Sequence, residues 1–509
     1  MPIAYQGEIT IVRGRIAALD PKPGAVVLRL DGRRVEFPDA WAFPGLVDAH
    51  AHVVGLGLAQ REGYLRGVAS KEECIERVRS ARTQRGEWIV ARGWNHELWS
   101  PPALPSAADL DSAFPDVPVA LKRVDGHALW VNSRALEIAS IHAATPDPPG
   151  GAILRSDDGQ PTGILLDTAM ELVERFIPPP SLDDIERAIL IATELCSRAG
   201  LTEIHDMDVE PSHLPIFTTL AENGRLHCRI LSWVRGQNQE WHTAGVLPTV
   251  GELHRVVGVK LFADGALGSR GGALLVEPYS DDPTTSGLLL LDRETIVARI
   301  ERALDDGFSS IAVHAIGDRA VRVVLDAFEE IRSRYPHSDD VRLRIEHSQI
   351  VHPDDLSRYV SAGAIASVQP IHCTSDAAMA QRRLGDRTRN AYRWRSFLDH
   401  GVLLCAGSDF PVESHDPLLG IEAFCRRIPP GFDTAWHPDE RLSRSDALDA
   451  YTIGAHRAAD TSYRRGRIAV GLDADITIVD RDLETCLDDE ITATRTFATV
   501  VAGTLYLHE

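Results

Sequence analysis

The stretch Phe43-Pro44-Gly45-Leu46-Val47-Asp48-Ala49-His50-Ala51-His52 decides the interpretation of the fold. It is an apolar run that ends in two histidines two residues apart. Side chains alternate between the faces of a strand, so His50 and His52 point the same way. Two imidazoles at a strand end can hold one divalent cation. A chain with 20 His contains about one such pair by chance, so the prediction depends on the ends of the later strands.

The composition excludes several classes of protein. The 509 residues carry a formal net charge of −21, which offers no basic groove to nucleic acid. No apolar run reaches the roughly 18 residues of a membrane span, and the N-terminus has no signal-peptide pattern. Seven scattered cysteines without a Cys-x-x-Cys motif argue against a disulfide framework. We therefore expect a cytoplasmic protein with a small-molecule substrate, no nucleic-acid or membrane partner, and a homodimer as the default assembly.

Both ends of the chain have the pattern of short β-strands. Near the N-terminus, Asp31-Gly32 separates two alternating runs, which is a strong hairpin signal because both turn positions need a positive φ. The last fifty residues repeat this character. We predict a small β-sandwich composed of residues 1–44 and 457–509, with two unrelated edge hairpins as the alternative.

Residues 45–456 alternate between apolar runs and segments of helical periodicity. One such segment starts at Asp292, a helix-capping residue, and stops near Gly307. This alternation predicts an α/β fold, a (β/α)₈ TIM barrel of parallel strands. A long insertion at about 53–198 interrupts it after the first strand, and we expect that insertion to provide a lid and substrate specificity. The eight predicted strands are Gly45–His52, Gly200–Met207, His227–Trp233, Gly258–Phe262, Ser310–His314, Arg342–His347, Ala364–Gln369 and Val402–Asp409.

Candidate metal ligands follow at the ends of later strands. Lys260 lies in the fourth strand, His314 ends the fifth, His347 ends the sixth and Asp409 ends the eighth. A lysine within an apolar strand is unusual, because lysine is almost never fully buried without a partner. Barrel chemistry takes place at the C-terminal ends of the strands, so these side chains and the first histidine pair converge on one predicted site.

Here the sequence resembles the amidohydrolase superfamily, and within it the YtcJ-like, amidohydrolase-3 branch of metal-dependent hydrolases. The resemblance covers nearly the whole chain, and the ordered set of motifs is more specific than any one of them. The motifs that carry it are 44–52 (PGLVDAHAH), 125–133 (DGHALWVNS), 259–270 (VKLFADGALGSR), 313–318 (VHAIGD), 345–349 (IEHSQ) and 407–412 (GSDFPV).

The resemblance implies a hydrolase of C–N bonds, of the amide, N-acyl or N-formyl type, that uses a metal-bound hydroxide. It implies two Zn²⁺ bridged by a carbamate on Lys260. One metal would be held by His50, His52 and Asp409, and the other by His314 and His347. Asp409 would act as general base and then as general acid. A mononuclear deaminase, a lyase or isomerase on the same scaffold, and a catalytically silent metal-binding protein remain as alternatives.

Four further residues are candidates for substrate binding. Trp94 and His127 lie in the insertion, with packing inside it as the alternative. Arg270 could bind an anionic group or form a surface salt bridge, and His372 follows the seventh strand. His205, at the end of the second strand, either lines the pocket or has a structural role.

Overall fold

A computed structural model describes residues 3–61, 63–81, 84–124, 126, 128–148, 151–268, 270, 277–335 and 340–508. The chain divides into two compact units. The larger unit comprises Met1–Val53 and Ala192–Glu509, and the smaller comprises Val54–Ile191. The smaller unit overlaps the predicted insertion of 53–198. Among the described residues, no helix is long and apolar enough to cross a lipid bilayer.

The larger unit contains the predicted barrel. Its sheet has eight parallel strands, and their spatial order follows their order in the sequence. The α/β barrel prediction is therefore confirmed. We number these barrel strands 1 to 8: Leu46–Ala51, Leu201–Val209, Arg229–Arg235, His254–Phe262, Ser310–Ala315, Arg342–His347, Ala364–Val368 and Leu404–Ala406.

The residues after barrel strand 8 are hydrogen bonded to barrel strand 1. The Asp409 amide donates to the His50 carbonyl at 2.7 Å. The Asp48 carboxylate accepts from the Ser408 amide at 3.0 Å and from the Ser408 hydroxyl at 2.6 Å. Gly407 leaves room for this approach, because a Cβ there would lie 2.3 Å from the His50 nitrogen. These bonds fix the two ends of the sheet to each other beside the predicted metal ligands.

Helices connect the barrel strands. The Asp292 carboxylate caps the predicted helix by accepting from the Thr295 amide at 2.9 Å, and Gly307 follows with a φ of 88°. The helix prediction is thus confirmed at both ends. The α-helices from residue 182 onward are Leu182–Arg198, Leu214–Glu222, Glu240–Thr243, Arg293–Asp305, Asp318–Arg334, Leu356–Ala362, Pro370–Leu384, Trp394–Asp399, Pro417–Arg426, Arg444–Ala450 and Ile453–Ala458.

Two four-stranded sheets form a sandwich from the two ends of the chain. Their shared core contains Ile9 and Val26 from the N-terminal end and Ile476 and Val500 from the C-terminal end, all fully buried. The Asp31-Gly32 turn has the predicted positive φ angles of 47° and 91°. One sheet comprises Gly7–Val12, Arg15–Pro21, Ala25–Leu30 and Arg33–Pro38, and the other comprises Trp41–Pro44, Ile476–Val479, Thr496–Val501 and Thr504–Leu507.

The smaller unit has its own sheet and core. Buried indoles of Trp94, Trp99 and Trp130 pack on one another in that core. Its α-helices, beginning with one that starts at the unit boundary, are Val53–Arg61, Lys71–Ala81, Ala107–Asp111, Ser133–Ile138 and Glu171–Glu174. Its strands, in spatial order, are Gly151–Arg155, Pro161–Asp167, Ala128–Val131, Val119–Arg123, Trp88–Trp94 and Gln84–Arg85.

Candidate metal centre

Three of the predicted ligands form one compact donor cluster. His50, His347 and Asp409 each offer a ligand atom, and these atoms lie within 4.8 Å of one another. All three side chains are buried. His50 and His347 come from the ends of barrel strands 1 and 6, as the sequence predicts. Asp409 was predicted to end strand 8, but that strand ends at Ala406 and Asp409 lies in the turn after it. Two imidazoles and a carboxylate are a donor set that suits Zn²⁺ and related divalent cations.

His50 and His52 are oriented through their Nδ1 atoms. His50 Nδ1 lies 2.6 Å from Glu346 Oε2, and His52 Nδ1 lies 2.9 Å from the Met207 carbonyl. The Nε2 atoms of both rings face Asp409 Oδ1, at 3.6 Å for His50 and 3.1 Å for His52. Both Nε2 atoms therefore converge on one point, as the alternation of side chains along a strand predicts.

His314 lies next to the cluster, against His347. Their ring centroids are 4.5 Å apart, and those of His50 and His347 are 4.8 Å apart. His314 Nε2 lies 3.1 Å from the Gly265 carbonyl, so Nδ1 is the ring nitrogen left for a metal. The donor cluster combines His50 with His347, whereas the resemblance assigns these two residues to different metals. The division of ligands between two metals stays a prediction.

Two of the candidate ligands lie on backbone of unusual conformation. His347 has a φ of 72° and Asp409 has a φ of 62°. Such left-handed conformations are costly for residues other than glycine and are concentrated at functional sites. At His347 the turn also breaks the alternation of the strand, because the adjacent Glu346 and His347 both contact His50.

The ionisation states of these ligands suit metal binding. Burial lowers the pKa of His50 to about 4 and, with the neighbouring histidines, lowers that of His347 well below its usual value. Both imidazoles are then neutral and keep a lone pair. Burial opposes ionisation of Asp409, but the adjacent imidazoles of His372 and His52 outweigh it and hold its pKa well below the usual value. His50, His347 and Asp409 therefore fit a divalent cation without first losing protons. For His52, burial is outweighed by the Asp409 carboxylate, which raises the pKa of the imidazole, so this ring loses a proton when it ligates.

Lys260 lies within the same part of the barrel. Its side chain is buried, and Nζ lies 4.9 Å from the centroid of the Phe262 ring. Burial lowers its pKa, against the opposing charges of Glu346 and Asp409. The shift favours the neutral amine, which is the form that reacts with CO₂.

The four candidate substrate residues have different environments. His372 Nε2 lies 3.5 Å from Asp409 Oδ2, so this residue borders the donor cluster. Arg270 forms an ion pair with Asp281 at 3.0 Å. A salt bridge was the predicted alternative to binding of an anionic substrate group. His127 is outside the described residues. Trp94 is fully buried in the core of the smaller unit, where its indole N–H donates to the Leu121 carbonyl at 2.8 Å.

Two buried residues next to the candidate ligands are absent from the sequence prediction. Glu346 contacts His50, and Arg344 donates to Glu346 Oε1 through Nε at 2.8 Å. The available signal was a pair of opposite charges two residues apart in an apolar strand, which places both inside the barrel. His205 is fully buried, with Nδ1 accepting from Arg344 and Nε2 lying 3.3 Å from Glu203. Of the two predicted alternatives, lining the pocket or a structural role, these contacts favour the structural role.

Known proteins resemble this chain over most of its length. The model of the Amidohydrolase family matches residues 39–506. Protein LONG AFTER FAR-RED 3 of Arabidopsis thaliana is 35% identical, over 94% of this chain and 83% of that protein. Putative amidohydrolase YtcJ of Bacillus subtilis is 34% identical, over 86% and 84%. N-substituted formamide deformylase of Arthrobacter pascens is 27% identical, over 99% and 93%.

A solved structure shares the same architecture. It is an uncharacterized metal-dependent hydrolase from Pyrococcus furiosus, with 29% sequence identity and a TM-score of 0.73. The match covers 95% of this chain and 99% of that one. The family match, the shared fold and the cluster of His50, His347 and Asp409 agree with one another. The chain belongs to the amidohydrolase family.

Proposed function

We propose that this protein is a metal-dependent hydrolase of C–N bonds that acts on small amides of the N-acyl or N-formyl type. The observation that carries the proposal is the buried cluster of His50, His347 and Asp409 in a chain of the amidohydrolase family. A relative that covers almost the whole chain is an N-substituted formamide deformylase. That relative supports an amide, rather than an ester or a phosphate, as the bond that is broken.

The side chains supply the proton transfers of such a reaction. A divalent cation, which His50, His347 and Asp409 would hold, would polarise the carbonyl and acidify water. Asp409 is positioned to accept the proton of the attacking water and to return it to the leaving nitrogen, as general base and then general acid. His52 lies 3.1 Å from Oδ1 of that carboxylate and His372 lies 3.5 Å from Oδ2. These contacts hold the carboxylate in one orientation, which keeps it aligned with the reacting atoms.

We further propose two Zn²⁺ bridged by a carbamate on Lys260. The supporting observations are the burial and lowered pKa of this lysine, together with the presence of His52 and His314 beside the three clustered donors. Carbon-13-labelled bicarbonate tests the carbamate, since a carbamate resonance that disappears in the Lys260→Ala variant is expected. Absence of that resonance in the metal-loaded wild type would contradict it.

One observation favours a second candidate function. The three clustered donors are enough for a single metal, and a mononuclear site on this scaffold suits a deaminase. Metal stoichiometry and the products formed separate the two functions. Two metals per chain with release of a carboxylate and an amine would support the amide hydrolase, and one metal with release of ammonia would support the deaminase.

A substrate panel tests the main proposal. N-formyl amines, N-acyl amino acids, cyclic imides and small esters are incubated with Zn²⁺-loaded protein, and released amines and acids are quantified. Hydrolysis of an amide that is lost on chelation and restored by Zn²⁺ is expected. The Asp409→Asn variant is the control for contaminating activity. Inactivity on every amide with metal bound would count against the proposal and in favour of a catalytically silent protein.

A further inference from the structure

A buried arginine, Arg344, connects barrel strand 6 to barrel strands 1, 2, 3 and 7 beside the donor cluster. The Arg344 side chain is fully buried, and its guanidinium lies 4.7 Å from the centroid of the Trp233 ring. Its remaining partners come from other barrel strands and from its own strand: the Ala49 carbonyl at 2.6 Å, His205 Nδ1 at 3.0 Å, the Ser367 hydroxyl at 3.0 Å and Glu346 Oε1 at 2.8 Å. These contacts leave the guanidinium one available position.

Glu346 links the fixed guanidinium of Arg344 to His50, a candidate metal ligand. Its Oε1 accepts from Arg344 Nε, and its Oε2 lies 2.6 Å from His50 Nδ1 and 3.3 Å from Arg344 Nη2. A carboxylate paired with arginine has no proton to donate, so the hydrogen in the bond to His50 belongs to Nδ1. His50 Nε2 then carries the lone pair and faces Asp409.

We propose that Arg344 and Glu346 are positioning residues of the metal centre, which hold His50 as the Nδ1–H tautomer so that Nε2 binds the metal. This inference rests on the metal centre of the proposed function. It goes beyond that function, because neither residue reaches substrate or metal: each acts through His50. Carboxylates that orient ligating histidines in this way contribute about 10-fold to 100-fold to metal affinity.

An isosteric change at Glu346 makes the proposal testable. In the Glu346→Gln variant, the amide NH₂ must face either Arg344 or His50. If the NH₂ group faces Arg344, two hydrogen-bond donors, the amide NH₂ and the guanidinium, face each other. Facing His50, it forces Nδ1 to accept, which moves the ring hydrogen to Nε2 and removes the lone pair that the metal needs. Neither orientation preserves the geometry of the wild type.

The experiment measures Zn²⁺ affinity by competition with a chromophoric chelator. The Glu346→Gln variant is expected to bind Zn²⁺ about 10-fold to 100-fold more weakly than the wild type. Glu346→Asp, which keeps the charge, is expected to recover part of that loss. The matched control is Asp355→Asn, because Asp355 is also a buried carboxylate paired with arginines, Arg322 and Arg358, and has no contact with the donor cluster. Unchanged affinity in Glu346→Gln, or an equal loss in the control, would overturn the proposal.

A second measurement does not require the Glu346→Gln variant to fold. Nitrogen-15 spectra of histidine-labelled wild-type protein, with the His50 resonances identified from the His50→Gln variant, report which ring nitrogen carries the hydrogen. The Nδ1–H tautomer is expected in the metal-free protein, and an Nε2–H tautomer would overturn the inference. Failure of the wild type to bind any metal would contradict the proposed function instead, while the tautomer would still test the role of Glu346.

Discussion

Substitution of Gly407 by alanine tests how closely the two ends of the barrel sheet must approach. A Cβ at this position would lie 2.3 Å from the His50 nitrogen and 2.6 Å from Asp48 Oδ1. Relief of these overlaps requires the residues after barrel strand 8 to move away from barrel strand 1 by roughly 1 Å, and overpacking of this kind costs about 1–3 kcal/mol. Weakening of one Asp48–Ser408 hydrogen bond adds about 1 kcal/mol. We therefore expect a loss of about 2–4 kcal/mol.

Urea unfolding followed by tryptophan fluorescence, together with Zn²⁺ competition, measures both consequences. The variant should unfold at lower urea concentration with an unchanged m-value, and it should bind Zn²⁺ at least about tenfold more weakly because His50 shifts. Gly268→Ala is the matched control, since the nearest atom to its Cβ would be 4.0 Å away. Wild-type stability and metal affinity in Gly407→Ala would refute the argument that this close approach positions His50.

Three further predictions concern single side chains. Asp409→Asn should lower kcat on an amide substrate by about 100-fold or more, and a variant that keeps most of its activity would exclude this residue as the proton carrier. His254 is buried, and burial lowers its pKa from 6.5 to about 4. It is therefore neutral in the folded protein, so stability should fall as the pH drops from about 6.5 to about 4, by up to about 3 kcal/mol. Urea titrations at several pH values should show this slope and should show it reduced in His254→Asn, and an equal slope in both proteins would contradict it. Arg465→Leu leaves the buried carboxylates of Glu203 and Asp473 without this partner, and equilibrium unfolding should show a loss of about 3–5 kcal/mol, whereas a neutral effect would count against that role.

The barrel could be predicted from the sequence because its strands are buried on both faces and appear as short apolar runs. Barrel strand 1 is buried at every position from Leu46 to Ala51, and the histidines at its end mark the C-terminal face. The helix caps were equally readable, since Asp292 and Gly307 act through local geometry alone.

The arrangement inside the metal centre could not be predicted, because it depends on backbone angles that the residue types do not reveal. Strict alternation would send Glu346 and His347 to opposite faces of the strand. The positive φ of His347 turns its ring toward His50, and Asp409 reaches the same point through a similar turn. The contact between His50 and Glu346 also joins residues 296 positions apart, and no local pattern indicates such a pair.

The proposed function requires that His50, His347 and Asp409 hold divalent metal. The most direct measurement is an anomalous difference map from crystals of the Zn²⁺-loaded protein, collected on both sides of the zinc absorption edge. Zinc density is expected within bonding distance of each of the three side chains, about 2.0–2.2 Å from its ligand atom, as one shared peak or as two adjacent peaks. A map with no peak there, or with zinc bound only at other residues, would contradict it.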